Sequence, residues 1–226
     1  MGITHLCDAE VAITESLGEP KGLLRVTAPA DIGDHVLADI LKSMREAYPN
    51  ISIDLALMDR YVNLVAEGID VAIRAGELKD STLVAKNVGI ASWSLFASPA
   101  YLESASTLNH PSELNQHHCL QFAPLGREAW KLNNQQHELI VPMAGKVMIN
   151  DIRVVHSMTL DGEGVALLPN FHCQQECIDG KLVKVLPEWH AKADPIHIVY
   201  PRQRFVHPKL RAFIDLATLK LRQLLD

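Results

Sequence analysis

The segment Tyr61–Gly76 constrains the fold of this chain more than any other stretch, because it joins two kinds of secondary structure. Its sequence, YVNLVAEGIDVAIRAG, begins with apolar residues at helical spacing and then places Gly68 where a helix commonly ends. From Ile69 onward the apolar residues alternate, which predicts a strand. Arg74 follows at the carboxyl end of that strand, where open α/β sheets bind their ligands.

Strands and helices alternate along the rest of the chain. Apolar spacing predicts strands at Leu24–Thr27, Ile51–Leu57 and Val165–Leu168, and helices over Val36–Met44, after Asp151, and from Pro208 onward. The Asp151 side chain is placed to cap its helix, and Pro208 stands in a first helical turn, which tolerates proline. Strands separated by helices form βαβ units, so we expect an α/β protein with mostly parallel sheets.

The composition argues against several classes of protein. The chain has 226 residues, of which 48% are hydrophobic and 21% charged, as in a globular protein with one large domain or two small ones. Its net charge of -6 argues against nucleic acid as the main partner. No apolar run reaches the roughly 18 residues of a membrane span, and the first residues do not form a secretory signal. Four dispersed cysteines fit the reducing cytoplasm, where we expect the protein.

Five segments, in this order and spacing, carry a resemblance to one protein family. Tyr61–Gly76 resembles the "l..G.lDvair.g" signature in the ligand-sensing domain of the LysR-type transcriptional regulators. Four further segments resemble other parts of the same domain: Gly22–Pro29 (GLLRVTAP), Trp93–Tyr101 (WSLFASPAY), Asn150–Pro169 (NDIRVVHSMTLDGEGVALLP) and Pro195–Pro201 (PIHIVYP). The resemblance therefore covers the chain from Gly22 to its C-terminus.

The resemblance implies a particular fold and function. The fold is an α/β arrangement of two lobes with two crossover strands, like a type II periplasmic binding protein. Lobe I is expected at 22–97 plus 198–226 and lobe II at 98–197, after a linker-helix remnant at 1–21. The implied function is to bind a small effector between the lobes and to oligomerise, which controls the geometry of a DNA-bound oligomer. DNA would be bound only by an N-terminal domain that this chain lacks.

The implied effector site lies where strands end and helices begin. Its expected residues are Thr27, Ala28, Pro29, Arg74, Gly76, Phe122, Asn150, Pro169 and Phe171. Backbone N–H groups at such turns bind anions, and the Arg74 guanidinium pairs well with an acid, so we expect a small anionic or polar organic effector. The alternatives are ordinary turns, and for Arg74 an ion pair with Glu77 or Asp80.

The resemblance also implies self-association, as a homodimer and, in full-length regulators, a tetramer. The expected dimer interface lies on the first helix of lobe I and includes Val36, Leu37 and Ile40. These side chains are apolar, so the alternative is that they belong to the core of their own lobe.

The cysteines and histidines form two short clusters that lack the paired C-x-x-C spacing of a zinc ribbon. One is His117–Cys119, and the other holds Cys173 and Cys177, which stand four residues apart on a predicted helix. Cysteines at that spacing are neighbours, which makes them a candidate redox pair; the alternative is two half-buried small residues. We therefore expect neither a metal nor a cofactor.

Two other functions share this fold. One is an exported solute-binding receptor of a transport system, and the other is an enzyme on the same two-lobed fold. The sequence contains no G-x-S-x-G, no P-loop and no H-E-x-x-H motif, so we do not expect an enzyme.

Overall fold

The computed structural model describes residues 18–30, 32, 34–58, 60, 62–78, 82–143 and 147–225, with the side chains of 34 and 35 left out. Contacts divide the chain into two compact units. The first unit runs up to Gly89 and resumes at Pro195, and the second is Ile90–Asp194. The chain thus passes from one unit to the other twice.

Twelve strands and five α-helices are described, together with 3-10 helices at Pro111–Gln116 and Ala123–Leu125. In chain order the elements are β1 (Gly22–Ala28), α1 (Asp34–Ala47), β2 (Ile51–Leu57), β3 (Val71–Ala75), β4 (Leu83–Ala91), β5 (Trp93–Ala97), α2 (Pro99–Ser104), β6 (Cys119–Phe122), β7 (Ala129–Asn133), β8 (Glu138–Pro142), β9 (Val147–Ile149), α3 (Ile152–Leu160), β10 (Val165–Pro169), α4 (Asn170–Ile178), β11 (Val183–His190), β12 (Asp194–Pro201) and α5 (Pro208–Leu225).

Each unit is built on one mixed sheet, which confirms the predicted α/β class. The expectation of mostly parallel sheets is wrong, because β12 is antiparallel to β3, and β8, β7, β11, β5 and β10 pair antiparallel in turn. The first sheet has the order β2-β1-β3-β12-β4, with β1 parallel to β2 and β3, and β12 antiparallel to β3. The second has the order β8-β7-β11-β5-β10-β6-β9, with β6 parallel to β9 and β10. Parallel neighbours end at the same edge of their sheet, so each sheet has one edge that collects the carboxyl ends of several strands.

Of the segment Tyr61–Gly76, whose first residue lies outside the described residues, the predicted strand forms as β3 and Gly68 acts as expected, but the predicted helix does not form. A single turn replaces the helix: the Ile69 amide donates to the Leu64 carbonyl at 2.8 Å, and Gly68 is left-handed with φ 65°. This bond pattern caps a helical turn without a helix before it. Ala72 is as buried as its neighbours in β3, so burial does not alternate along this strand. A central strand is covered on both faces, so its side chains do not alternate between core and solvent.

Helix α1 uses the residues of the expected dimer interface for its own core. Val36, Leu37 and Ile40 are 7%, 6% and 1% exposed within the single chain. The helix packs against α5 and β2, which cover its apolar face. The apolar spacing therefore marked the side of α1 that faces its own unit, and these three side chains are not available at the surface of the described chain.

The units change after Gly89 and before Pro195, whereas the expected lobes change after residues 97 and 197. Strand β5 was assigned to lobe I, but it pairs with β10 and β11 in the second sheet. The change of unit comes after Gly89, within β4, and the return comes before Pro195, at the start of β12. Of the expected linker remnant, residues 1–17 lie outside the described residues, and residues 18–21 precede β1 without regular structure.

Replacement of Ile40 by alanine should destabilise the first unit by about 2–5 kcal/mol, because it leaves a cavity under α1. Replacement of Lys42, an exposed residue of the same helix, should change the free energy of unfolding by less than about 0.5 kcal/mol. Urea denaturation of the two variants measures both values. A folded Ile40→Ala chain with unchanged stability and a lost dimer would restore Ile40 to an interface.

Candidate functional site

The carboxyl edge of the first sheet gathers the lobe I residues that the sequence predicted. The ends of β1, β2 and β3 meet there, as the parallel register Ala28–Leu57 and Thr27–Ala72 requires. The backbone links these ends, since the Met58 amide donates to the Ala28 carbonyl at 2.9 Å. The residues brought to this edge are Thr27, Ala28, Pro29, Met58, Arg74 and Gly76.

Thr27 has a buried hydroxyl with no hydrogen-bond partner among the described residues. Its side chain is 0% exposed, and Oγ1 is buried without a bond. The other buried threonines differ: Thr159 donates to the Val155 carbonyl at 2.7 Å, and Thr218 donates to the Ile214 carbonyl at 2.6 Å. A buried polar group without a partner destabilises the chain, and such exceptions in a native fold ask for an explanation.

Arg74 places its guanidinium against the neighbouring strand end. Its Nη1 donates to the Met58 carbonyl at 3.2 Å, and the side chain is half-buried. Gly76 follows with φ 86°, and its amide donates to the Pro195 carbonyl at 2.9 Å. A side chain is strained at that φ, so glycine suits the turn. Asp80, one alternative partner for Arg74, lies outside the described residues.

The second unit has a comparable edge, where β6, β9 and β10 end. Asn150 is exposed directly after β9, and Pro169 is buried at the end of β10. Strand β5 runs antiparallel to β10, so the first residue of β5, Trp93, pairs with Pro169. The Phe122 ring stacks on Trp93 with centroids 6.0 Å apart and is only 7% exposed. Phe122 thus lies at the predicted edge, but its ring is largely covered.

Two helices begin at this edge of the second unit. The Asp151 carboxylate accepts a hydrogen bond from the Arg153 amide at 2.9 Å, which confirms its predicted role as the cap of α3. The Arg153 side chain donates to both oxygens of that carboxylate, and this lowers the pKa of Asp151. Helix α4 begins at Asn170, whose side-chain Oδ1 is buried without a partner among the described residues. Phe171 follows, with its ring 4.9 Å from that of His172.

The candidate redox cysteines lie on α4 in environments that disfavour the thiolate. Cys173 is 0% exposed, and burial is the largest of the effects that raise its pKa. Cys177 is exposed, yet its pKa is also raised, first by desolvation and then by Glu176. Reactive cysteines have lowered pKa values, so both thiols are in the unreactive form at neutral pH. Among the described residues, no three His, Cys, Asp or Glu side chains are grouped to hold a metal ion.

Three residues of these edges were missed by the reasoning from sequence. Met58 follows β2 at the position equivalent to Pro29 after β1. That equivalence between strand ends could have identified it from the sequence. Asn170 stands between two predicted residues, Pro169 and Phe171, and was passed over. Trp93 had no local signal, because its place depends on the antiparallel pairing of β5 with β10.

A family described as the LysR substrate binding domain matches residues 17–222, which is nearly the whole chain. The chain belongs to this family. This observation confirms the resemblance that the five sequence segments carried.

Curated relatives of this LysR-type domain are named as transcriptional regulators, not enzymes. A helix-turn-helix type transcriptional repressor of Pseudomonas aeruginosa is 32% identical over 94% of this chain and 68% of its own length. The regulator PtxR of the same species is 30% identical, with 88% and 64% covered. The regulator CrgA of Neisseria meningitidis is 32% identical, with 87% and 66% covered. The chain thus spans 64–68% of the length of these relatives.

Solved structures of LysR-type regulators share the fold. CrgA of Neisseria meningitidis aligns with a TM-score of 0.82 and 28% identity, over 97% of this chain and 75% of that one. The CrgA regulatory domain aligns with a TM-score of 0.80 and 30% identity, over 89% of this chain and 100% of that domain. AphB, a virulence activator of Vibrio cholerae, aligns with a TM-score of 0.80 and 29% identity, with 96% and 76% covered.

These likenesses confirm the predicted fold, a regulatory domain of the type II periplasmic-binding-protein kind. They also decide between the functions that the sequence left open, since the relatives are regulators and neither transport receptors nor enzymes. Within the described residues, no helix is both long and apolar enough to cross a membrane.

Replacement of Thr27 by valine should raise the free energy of unfolding of the ligand-free domain by about 1–2 kcal/mol, because it removes a buried hydroxyl that has no partner. Replacement of Thr159 by valine should lower that free energy by about 0.5–1.5 kcal/mol, because Thr159 donates a hydrogen bond. Denaturant titrations without added ligand compare the two variants. If Thr27→Val is as destabilising as Thr159→Val, the Thr27 hydroxyl has a partner in solution.

Proposed function

We propose that this LysR-type domain senses a small anionic or polar organic effector and transmits its binding to a DNA-bound oligomer. One observation carries the proposal above all others: the LysR substrate binding domain family matches residues 17–222. The geometry of the two strand edges supports a site for that effector.

The residues proposed to bind the effector lie at one strand edge in each unit. The first contributes Thr27, Ala28, Pro29, Arg74 and Gly76, and the second contributes Asn150, Pro169 and Phe171, with Phe122 behind them. The buried hydroxyl of Thr27 and the buried Oδ1 of Asn170 support the location, since each lacks a partner among the described residues. We add Asn170, which the sequence analysis did not include, to the proposed site. A polar ligand at these strand ends would supply the missing bonds, in the place where α/β sheets bind ligands.

The charge of the site favours an acid. Arg74 supplies a full positive charge at the edge of the first unit and is held there by the Met58 carbonyl. A guanidinium binds a carboxylate through two parallel hydrogen bonds, which an amine ligand cannot form. We therefore expect the site to prefer an organic acid to an amine.

The output of the domain is proposed to be a change in oligomer geometry. An effector shifts such an equilibrium only by its difference in affinity for the two arrangements, so tight binding alone is not sufficient. We propose a homodimer for this domain and a tetramer for a full-length regulator in the cytoplasm. Val36, Leu37 and Ile40 are largely buried in their own unit, and their place in the dimer interface stays a prediction.

Replacement of Arg74 by methionine should weaken binding of an acid about 10- to 100-fold, because charge-assisted hydrogen bonds are lost. The ligands to screen are benzoate and succinate, each beside the amine of matching skeleton, benzylamine and 1,4-diaminobutane. A bound ligand raises the unfolding midpoint by mass action, so thermal melts compare the binding of the four compounds by the rise that each one causes. We expect the acids to raise the midpoint of the wild type, and Arg74→Met to reduce that rise while leaving any effect of the amines as it is.

The matched control is Arg25→Met, which removes the same charge from an exposed residue of β1 in the same unit. It should leave the effect of the acids intact. Equal loss in both variants would mean that the acids respond only to net charge, and an unchanged response in Arg74→Met would exclude Arg74 from the site.

The domain by itself should bind random duplex DNA only weakly, because its net charge of -6 repels phosphate. A gel-shift titration at low salt measures this, where electrostatic binding is strongest. Tight binding under those conditions would mean that the domain contributes a DNA contact of its own.

A further inference from the structure

The second unit contains a cavity of about 350 Å³ apart from the strand ends described above. Its walls come from the 3-10 helix Pro111–Gln116, the start of β6, the end of β8, the start of β9 and the carboxyl part of α3. This volume lies in the range of small-molecule sites, about 300–1,000 Å³.

The cavity lies at the opposite edge of the second sheet from the proposed effector residues. Cys119 and Val147, which line it, are the first residues of the parallel strands β6 and β9. Phe122 and Asn150 stand at the other end of the same two strands. The cavity is therefore a separate site, and the proposed effector function does not account for it.

One wall of the cavity is held by a hydrogen-bond network around Tyr101. The His118 amide donates to the Tyr101 hydroxyl at 2.9 Å, and His117 Nδ1 lies 3.1 Å from the same oxygen. Burial raises the pKa of Tyr101, so its hydroxyl stays protonated and pairs with His117 Nδ1. The His118 carbonyl in turn accepts from the Val165 amide at 2.8 Å. The wall from His117 to Cys119 is thus fixed in the absence of any ligand.

The apolar part of the cavity lining is adaptable. Leu120 and the thioethers of Met143 and Met158 line it, and methionine side chains adjust their shape to a ligand. The Cys119 thiol donates to the Leu114 carbonyl at 3.3 Å, and burial raises its pKa to about 12, so it adds no charge.

The rim carries the charge. Glu163 is exposed and lines the cavity. A carboxylate at the mouth of an apolar cavity attracts a cation or a hydrogen-bond donor and repels an anion.

We propose that this cavity binds a small molecule with a short apolar body and an amino group, with the body among Leu120, Met143 and Met158 and the amine beside Glu163. This selectivity is the reverse of the one proposed for the Arg74 edge. A neutral alcohol of the same length binds more weakly, and a carboxylate binds weakest.

The test is a methyl NMR titration of the protein labelled with ¹³C at its methionine methyl groups. The titrants are hexylamine, hexan-1-ol and hexanoate, which share a chain and differ in the polar end. The Met143 and Met158 resonances should shift and saturate in that order of affinity, while Met44, which is buried on α1, stays in place. Absence of a saturating shift at Met143 and Met158, or tightest binding by hexanoate, would overturn the proposal.

Two variants locate the ligand within the cavity. Glu163→Gln should weaken hexylamine about two- to fivefold and leave hexan-1-ol unchanged, as expected for one exposed charge. Val147→Phe should fill the cavity and abolish both shifts, whereas Val154→Phe, at an exposed position of α3, should bind like the wild type. Equal hexylamine binding by Glu163→Gln and the wild type overturns the assignment, and that comparison decides even if Val147→Phe does not fold.

Discussion

Strand β3 is the constraint on which the first unit depends. It pairs in parallel with β1 on one side and antiparallel with β12 on the other, so it joins the N-terminal and C-terminal parts of the unit in one sheet. Its side chains from Val71 to Ile73 are fully buried. Because β1, β2 and β3 run in parallel, their carboxyl ends share an edge, and Arg74 comes to lie against the carbonyl of Met58. The candidate site is a consequence of that pairing.

The sequence predicted local features well where one residue determines the geometry. Gly68 is left-handed, Asp151 caps α3, and β2 occupies Ile51–Leu57 as expected. The sequence could not decide between alternatives where burial depends on distant partners. The apolar face of α1 has the same sequence pattern whether it packs on its own unit or on a second subunit. Its contacts with α5 and β2 show that it packs on its own unit. The place of Trp93 follows from a pairing with Pro169 that no local pattern encodes.

The two edges of the second sheet illustrate how one fold separates two chemistries. At the carboxyl ends of its parallel strands, Asn150 and Asn170 present polar groups at the start of helices. At the amino ends, the wall from His117 to Cys119 already forms hydrogen bonds within the chain, and it lies beside the apolar side chains of Leu120, Met143 and Met158. Polar groups without hydrogen-bond partners favour a polar ligand. Where the polar groups already have partners, the hydrophobic effect is the main contribution to ligand binding.

The most direct test of the account is hydrogen–deuterium exchange of the domain with and without the carboxylate that stabilises it most. The account predicts slower exchange at residues 27–30, 74–77, 150–153 and 170–172, because a ligand at the strand ends protects the backbone amides next to it. Protection confined to the amino ends of β6 and β9, or no protection by any stabilising acid, would contradict it.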